Sequence, residues 1–370
     1  MLYTNLTDVR FEEVETGHGS FIWTDANRNG TIDYSERAEF VKAKSGEGNF
    51  KKITYSEALG EIEWQFQTAM WLFLAFIMMG VRDVAYMVRI RILTEKKLSW
   101  RQSFRVIMMW EFASALTPGV VGGAAVAMFI LKKEKISLGK STAIVMITAM
   151  LDNLFYLIMI PTMLIVIGSD QFFPEVGGQE ILGISLNIMG VFWAAYGIIL
   201  VLFGFLLVGV LYKPGWLKRI LIGIFSIKFL RKWKSGAIDT GNEIIATSKE
   251  LKGKPSSYWV RAFLATAFSW TGRFLVVNCI MAAFISTNLM DQLIIYARQL
   301  GMWVIMIVSP TPGGSGVAEY AFSSFLEVFI PFGLTGLLAV LWRLISYYPY
   351  LFIGTAMLPR WVGSRKKHNS

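Results

Sequence analysis

An apolar run from Ser103 to Leu131 is bounded by basic clusters at both ends. Arg89, Arg91, Lys96, Lys97 and Arg101 precede it, and Lys132, Lys133, Lys135 and Lys140 follow it. Lys and Arg concentrate on the cytoplasmic side of membrane spans, so both ends belong on one side. A single crossing cannot return a chain to its starting side. The run is interrupted at Leu116-Thr117-Pro118-Gly119-Val120-Val121-Gly122-Gly123, where proline and glycine break a helix. Each arm is then about a dozen residues, about 18 Å at 1.5 Å per residue, against an apolar core about 30 Å thick. The spacing predicts a re-entrant hairpin that dips into the membrane and returns.

Five further apolar runs are each long enough to cross at about 20 residues per span: Trp64 to Ile90, Ser141 to Ile167, Ser185 to Leu211, Tyr258 to Ser286 and Leu334 to Met357. The loop after Ile167 carries Asp170, Glu175 and Glu180 without Lys or Arg, as an external loop should, and Lys213 to Lys254 is basic. A second broken run, Leu293 to Ile330, is interrupted at Ser309-Pro310-Thr311-Pro312-Gly313-Gly314-Ser315-Gly316. The order span, broken hairpin, span therefore recurs with opposite orientation. That is the inverted-repeat pattern of transporters, in which paired Gly/Pro-interrupted segments mark the substrate site.

The expected fold class is an all-α polytopic membrane protein. Residues 1–63 form an extracytoplasmic polar segment, and residues 64–359 a transmembrane domain with hairpins at about 103–131 and 293–330 and a cytoplasmic basic segment at 213–256. Residues 360–370 form a basic cytoplasmic tail. Composition agrees: 54% of residues are hydrophobic and 17% charged, against about 25% charged in soluble domains. The net charge of +10 follows from basic cytoplasmic loops and does not imply a nucleic-acid partner. The lone cysteine, Cys279, permits no intrachain disulfide. His18 and His368 both lie outside the apolar runs, so no histidine metal site or proton relay is expected within the membrane.

Two segments resemble a known family. Glu111-Phe112-Ala113-Ser114-Ala115-Leu116-Thr117-Pro118-Gly119 and Pro310-Thr311-Pro312-Gly313-Gly314-Ser315-Gly316-Val317-Ala318-Glu319 look like the signature segments of the lysylphosphatidylglycerol synthase transmembrane family. Arg343 in Leu341-Trp342-Arg343-Leu344 falls where that family has an arginine in its last span, and the likeness runs from Ile62 to Pro359. The first segment departs from the family pattern with Val120-Val121 ahead of its glycine pair. The resemblance implies a flippase-like domain that moves lipids between leaflets, as in the flippase half of the multiple peptide resistance factor. It also implies a separate lipid-modifying enzyme as a partner for any aminoacylation, and one more span ahead of the polar segment. The polar segment, with 12 Asp/Glu and 7 Lys/Arg, suits the outside of a cytoplasmic (inner) membrane, with the C-terminus inside.

Ionisable residues at membrane depth are costly and are functional candidates by default. Glu111, Asp152, Arg273, Glu319 and Arg343 stand out, with Arg82-Asp83 read as an end-of-span pair. A buried arginine offers a planar fork to phosphate oxygens. Helices opening at Gly122-Gly123 and at Gly316 would offer free N–H groups to a headgroup. The candidate lipid-binding set is thus Glu111, Thr117, Pro118, Gly119, Gly122, Gly123, Asp152, Arg273, Pro312, Gly313, Gly314, Gly316, Glu319 and Arg343. The spans contain no nucleophile–base pair, so an enzyme is not expected. The cargo is read as an anionic, aminoacylated or polyprenyl-phosphate lipid. A small-solute or ion-coupled transporter and a non-transporting scaffold are the alternatives.

Trp216 to Lys234 mixes apolar and basic residues and reads as an in-plane helix on anionic lipid or as a topology-setting loop. Asp25, Asn27, Asn29, Thr31, Asp33 and Glu36, with Gly30 at the sixth position, match the ligand positions of an EF-hand calcium loop. A structural calcium ion is expected there. Residues 36–44 are its candidate exit helix, and Gly17-His18-Gly19-Ser20 leaves it without an entering one.

Overall fold

The computed structural model describes residues 9–54 apart from 16, 27, 29, 31, 33–36 and 45, then residues 57 and 60, and residues 64–363 apart from 118, 175–179, 182–183, 186–187, 308, 310 and 332. The amino-terminal part is a small antiparallel sheet. Its strands are β1 (Val9–Glu13), β2 (Phe21–Trp23), β3 (Phe40–Lys42) and β4 (Phe50–Thr54), in the order β1-β4-β2-β3. Phe11, Phe40 and Phe50 form its core, with the Phe11 and Phe40 rings stacked at 4.0 Å. Trp23 Nε1 donates to Glu39 Oε2 at 2.9 Å. At the sheet margin the backbones of Gly19 and Gly48 are bridged, and a Cβ on Gly48 would fall 2.3 Å from the Gly19 carbonyl oxygen, so only glycine fits.

This corrects the expectation of an exit helix at 36–44. Arg37–Glu39 is a single 3₁₀ turn, and Phe40 pairs with Trp23 in the sheet. Burial of Phe40 against Phe11 outweighs any local helical preference. The segment has its own aromatic core of Phe11, Phe40 and Phe50.

The remainder is mostly helical, with one further strand pair, Glu180–Ile181 with Ile184–Ser185, so the two sheets correct the all-α expectation. α1 (Phe66–Leu93) is followed by α2 (Trp100–Leu116), α3 (Gly119–Lys133) and α4 (Leu138–Ile167). Then come α5 (Ile188–Leu206), continued as a π-helix over Leu207–Tyr212, α6 (Pro214–Ile224), α7 (Lys234–Lys252) and α8 (Ser256–Phe284). The chain closes with α9 (Leu289–Met306), α10 (Val317–Leu326), α11 (Thr335–Ser346) and α12 (Tyr348–Gly363). Among the described residues, 5 helical stretches are long and apolar enough to cross a membrane: Phe66–Leu93, Leu138–Ile167, Met189–Tyr212, Ser256–Phe284 and Thr335–Pro359. They coincide with the five runs read as spans.

Both broken runs break where expected, at Thr117 and between Met306 and Val317. The first arms are longer than a dozen residues, at 17 for α2 and 15 for α3. α2 starts early because Ser99 caps it and Gln102 bonds back to the Ser99 amide, and α3 runs on through Lys132 and Lys133. At about 1.5 Å per residue both arms still fall short of a core about 30 Å thick. The last span is not continuous, since it kinks at Tyr347 between α11 and α12. The basic stretch after Trp216 is likewise two pieces, α6 and the short 3₁₀ turn Arg231–Trp233, rather than one in-plane helix.

α1 and α8 pack together along most of their lengths. Small residues permit this: a Cβ on Gly272 would lie 3.1 Å from the Met78 carbonyl oxygen, and Ser269 Oγ donates to the Arg82 carbonyl at 3.1 Å. In a membrane such close backbone approach drives helix pairing, because lipid tails remove most of the hydrophobic driving force.

Candidate functional site

Arg82, Tyr86 and Arg89 follow one another at four and three residues, so they share one face of α1. That face turns toward α2, α4, α8 and α12. Arg82, which is 1% exposed, donates through Nη1 to Tyr350 Oη at 2.6 Å and to Asp83 Oδ1 at 2.8 Å. Tyr350 in turn donates to Asp83 Oδ1 at 2.7 Å. Arg82 Nη2 lies 2.7 Å from Glu111 Oε1, an ion pair outside hydrogen-bonding alignment. Glu111 is shared, because Arg273 Nη2 approaches its other oxygen at 3.5 Å.

Two turns along α1, Arg89 Nη1 donates to Asp152 Oδ1 at 2.5 Å and to Thr266 Oγ1 at 3.2 Å. Trp270 Nε1 donates to the same Asp152 oxygen at 2.9 Å. The Tyr86 ring sits between the two arginines, 4.5 Å from the Arg82 guanidinium and 4.4 Å from that of Arg89. Arg273 lies 4.7 Å from the Trp303 ring centre and 5.5 Å from that of Trp270. The result is one network of three guanidiniums and three carboxylates from four helices. An unpaired charge at this depth would be costly, and the pairing leaves the network formally neutral.

A second cluster occupies the other break. Gly313, Gly314 and Gly316 have φ of 60°, 68° and 82°, a left-handed turn that glycine adopts without strain. Glu319 Oε2 accepts from the Gly316 amide at 2.6 Å, capping α10. Its other oxygen accepts from Arg343 Nε at 2.7 Å, while Arg343 Nη1 donates to the Gly313 carbonyl at 3.1 Å. Arg343 lies 5.0 Å from the Tyr347 ring centre. Arg343 Nη2 and Arg273 Nε are buried and make no hydrogen bond among the described residues.

The predicted set thus divides. Glu111, Asp152 and Arg273 join one network, and Glu319 and Arg343 join the second cluster with Gly313 and Gly316. Pro312 and Gly314 lie in that second turn, with Pro312 exposed. At the first break, Thr117 Oγ1 donates to the Ala113 carbonyl at 2.7 Å. Pro118 lies outside the described residues. α3 opens at Gly119, three residues ahead of the expected helix start at Gly122-Gly123. The glycine pair is therefore a packing surface: a Cβ on Gly122 would lie 2.5 Å from Thr117 Cβ, and one on Gly123 would lie 2.2 Å from Ser114 Oγ. Arg82 and Arg89, the hub of the network, are absent from the expected set, as are Tyr347 and Tyr350. The 82–86–89 spacing was the available signal for the first two.

In the amino-terminal loop, Asp25 Oδ2 accepts from the Gly30 amide at 3.0 Å and Gly30 has φ of 71°. Asn27, Asn29, Thr31, Asp33 and Glu36 lie outside the described residues.

Fold and site together define a multi-pass membrane protein with a charge network buried among its spans. The chain belongs to the lysylphosphatidylglycerol synthase TM region family, whose model matches residues 55–354. It is also similar to a UPF0104 membrane protein of Archaeoglobus fulgidus, 27% identical over 310 residues that cover 82% of this chain and 90% of that protein.

Proposed function

We propose that this protein moves a phosphate-bearing lipid (anionic, aminoacylated or polyprenyl-phosphate) between the leaflets of the cytoplasmic membrane, with its amino-terminal sheet outside and its carboxyl terminus inside. The observation that carries this reading is the pair of buried guanidiniums, Arg273 and Arg343, that keep unbonded N–H groups beside broken helices. A headgroup phosphate must shed water in a medium of low dielectric, and a planar arginine fork replaces that hydration bidentately. The glycine turn at 313–316 lets a headgroup approach the backbone closely. Glu111 and Glu319, each already held by arginine, would be displaced in part by phosphate or would pair with a lipid amine.

In this reading α1 to α4 and α8 to α12 are inverted repeats, and α2/α3 and α9/α10 are re-entrant hairpins. Arg82 and Arg273 support it, since they fall at nearly equal distances from the starts of α1 and α8. Calcium at residues 25–36 would be structural: the Asp25–Gly30 turn has the sharp bend the loop requires.

Purified protein in liposomes with headgroup-labelled lipids tests the function. Leaflet exchange above that of empty liposomes is expected, and it is abolished in Arg273→Met and in Arg343→Met variants that still accumulate and melt cooperatively. Exchange at the wild-type rate in both variants refutes the site, and no exchange of any anionic lipid refutes the function. External labelling of a cysteine at position 133 but not at 96, in a Cys279→Ser background, refutes the first re-entrant hairpin.

A further inference from the structure

α5 does not finish as an α-helix. Leu207–Tyr212 is wound as a π-helix, and the Lys213 amide closes it on the Val208 carbonyl at 2.7 Å. A neighbour holds the wide turn in place: Ser248 Oγ of α7 donates to the Val210 carbonyl at 2.5 Å. π-turns are rare and are frequently found at functional sites. Nothing in the charge network uses this one, because the network draws on α1, α2, α4, α8 and α12.

Beside the π-turn lies a cavity of about 460 Å³, within the range of ligand pockets. Met150 and Leu154 of α4, Phe203 and Leu207 of the α5 segment, and Phe263 and Leu264 of α8 bound it. Its lining is almost wholly apolar, and it opens on the outer face of the bundle, where Val260 and Leu264 are exposed. Asp152 and Thr266 of the same two helices bond instead to Arg89 of α1. On α4 the groove residues Met150 and Leu154 therefore lie on a different face from Asp152.

Basic residues adjoin the lining in sequence, with Lys213 two positions after Leu211 and Arg261 directly after Val260. Arg261 lies between the lining residues Val260 and Phe263, is exposed, and has no hydrogen-bond or ion-pair partner among the described residues. Lys213 directly follows the π-turn, and Lys252 Nζ sits 5.4 Å from the Tyr212 ring centre. An arginine flanked on its helix by exposed Val260, Leu264 and Phe268 faces acyl chains, so its long stem must carry the charge to the headgroup layer.

We propose that this groove holds one acyl chain of an anionic phospholipid, with the lipid phosphate bound by Arg261, Lys213 and Lys252, as a resident lipid apart from the transported one. Moving a chain from bilayer to groove gains little hydrophobic free energy, because lipid tails are as apolar as the lining. Selection must then come from these cations. The site accordingly prefers a net anionic headgroup over a zwitterionic one of the same chain length.

Native mass spectrometry of the full chain in detergent, titrated with phosphatidylglycerol or phosphatidylcholine of matched chains, tests this. One tightly retained phosphatidylglycerol is expected. Arg261→Gln should lower its retention about fivefold, the worth of one basic residue beside anionic lipid, and leave phosphatidylcholine unchanged. Leu264→Trp, on the exposed face and so compatible with folding, should fill the groove and remove the adduct. Equal retention of the two lipids by the wild type, or wild-type retention in both variants, overturns the proposal. Retention is read without leaflet exchange, so its outcome is independent of the transport reading.

Discussion

The Tyr347 hydroxyl donates to the Ala115 carbonyl at 3.1 Å, a bond between residues 232 positions apart. It ties the kink of the last span to the end of α2, where the final carbonyls of a helix have no partner within the helix. The same ring closes on the second break, since a Cβ on Gly313 would lie 2.5 Å from Tyr347 Cε2. One tyrosine thus touches both broken segments.

Tyr347→Phe keeps the ring and loses only the hydroxyl bond, so stability should fall by about 1 kcal/mol. Gly313→Ala adds both a left-handed alanine and a collision with that ring, and should be the more damaging change. Thermal melts of the two variants in one detergent check the order. A Gly313→Ala melt equal to or above that of Tyr347→Phe would refute the contact.

Arg82→Met should leave Asp83 and Glu111 short of their main cation, at a cost of about 3–5 kcal/mol for a broken buried pair. Glu111→Met alone should cost a similar amount. The double variant should recover part of that loss, because it removes both charges. Coupling near zero in the double-mutant cycle would mean that the two charges do not act as a pair.

Glu95, in the loop after α1, has its carboxyl pulled down to about 2 by hydrogen bonding with the Glu250 carboxyl, with Lys254 and with Lys140. Lys254 donates to it at 2.7 Å and Lys140 at 3.0 Å, so the cluster ties the end of α1 to α4 and to the α7–α8 loop. The folded protein binds this proton less readily than the unfolded chain, whose value is near 4.5. The stabilisation is therefore complete above that value and is lost as pH falls from it toward about 2. Glu95→Gln should flatten this acid limb of a melting-temperature profile, and an unchanged limb would show that the cluster contributes nothing.

The Asp25→Ala, Glu36→Ala double variant should lose calcium-dependent protection of residues 20–45 from proteolysis, yet keep leaflet exchange within about twofold. Extracellular modules bind calcium at roughly 10⁻⁴–10⁻³ M, and a site filled at ordinary external calcium makes a poor switch. If chelation alone halted exchange in intact protein, calcium would be regulatory. If calcium left protection and melting unchanged, the loop would be an ordinary turn.

The spans and both breaks were legible because the bilayer sets a minimum length for apolar runs and because Pro and Gly interrupt them. Arg82 and Arg89 were not, since their charge was read against topology, one as an end-of-span pair and the other as a basic flank. Their helical spacing around Tyr86 was the better guide. The amino-terminal sheet was missed for another reason. Phe11, Phe40 and Phe50 are far apart in sequence, so no local pattern joins them, while the Asp/Asn/Gly loop between them dominates any short window. The kink at Tyr347 had a local signal that was passed over: Pro349, two residues on, has no N–H to bond the Ile345 carbonyl and so opens a new helix instead of continuing the old one.

The balance of Arg82, Arg89 and Arg273 against Asp83, Glu111 and Asp152 has an electrical meaning. A neutral network feels no net force from the membrane potential, which acts at about 2.3 kcal/mol per elementary charge per 100 mV. On the function proposed here, the empty protein would reorient indifferently to voltage, and only the passage loaded with a monoanionic lipid would be driven. A potassium diffusion potential across the liposomes should then speed exchange in one direction and slow it in the other, and a rate blind to its sign would mean that the cargo crosses with its charge cancelled.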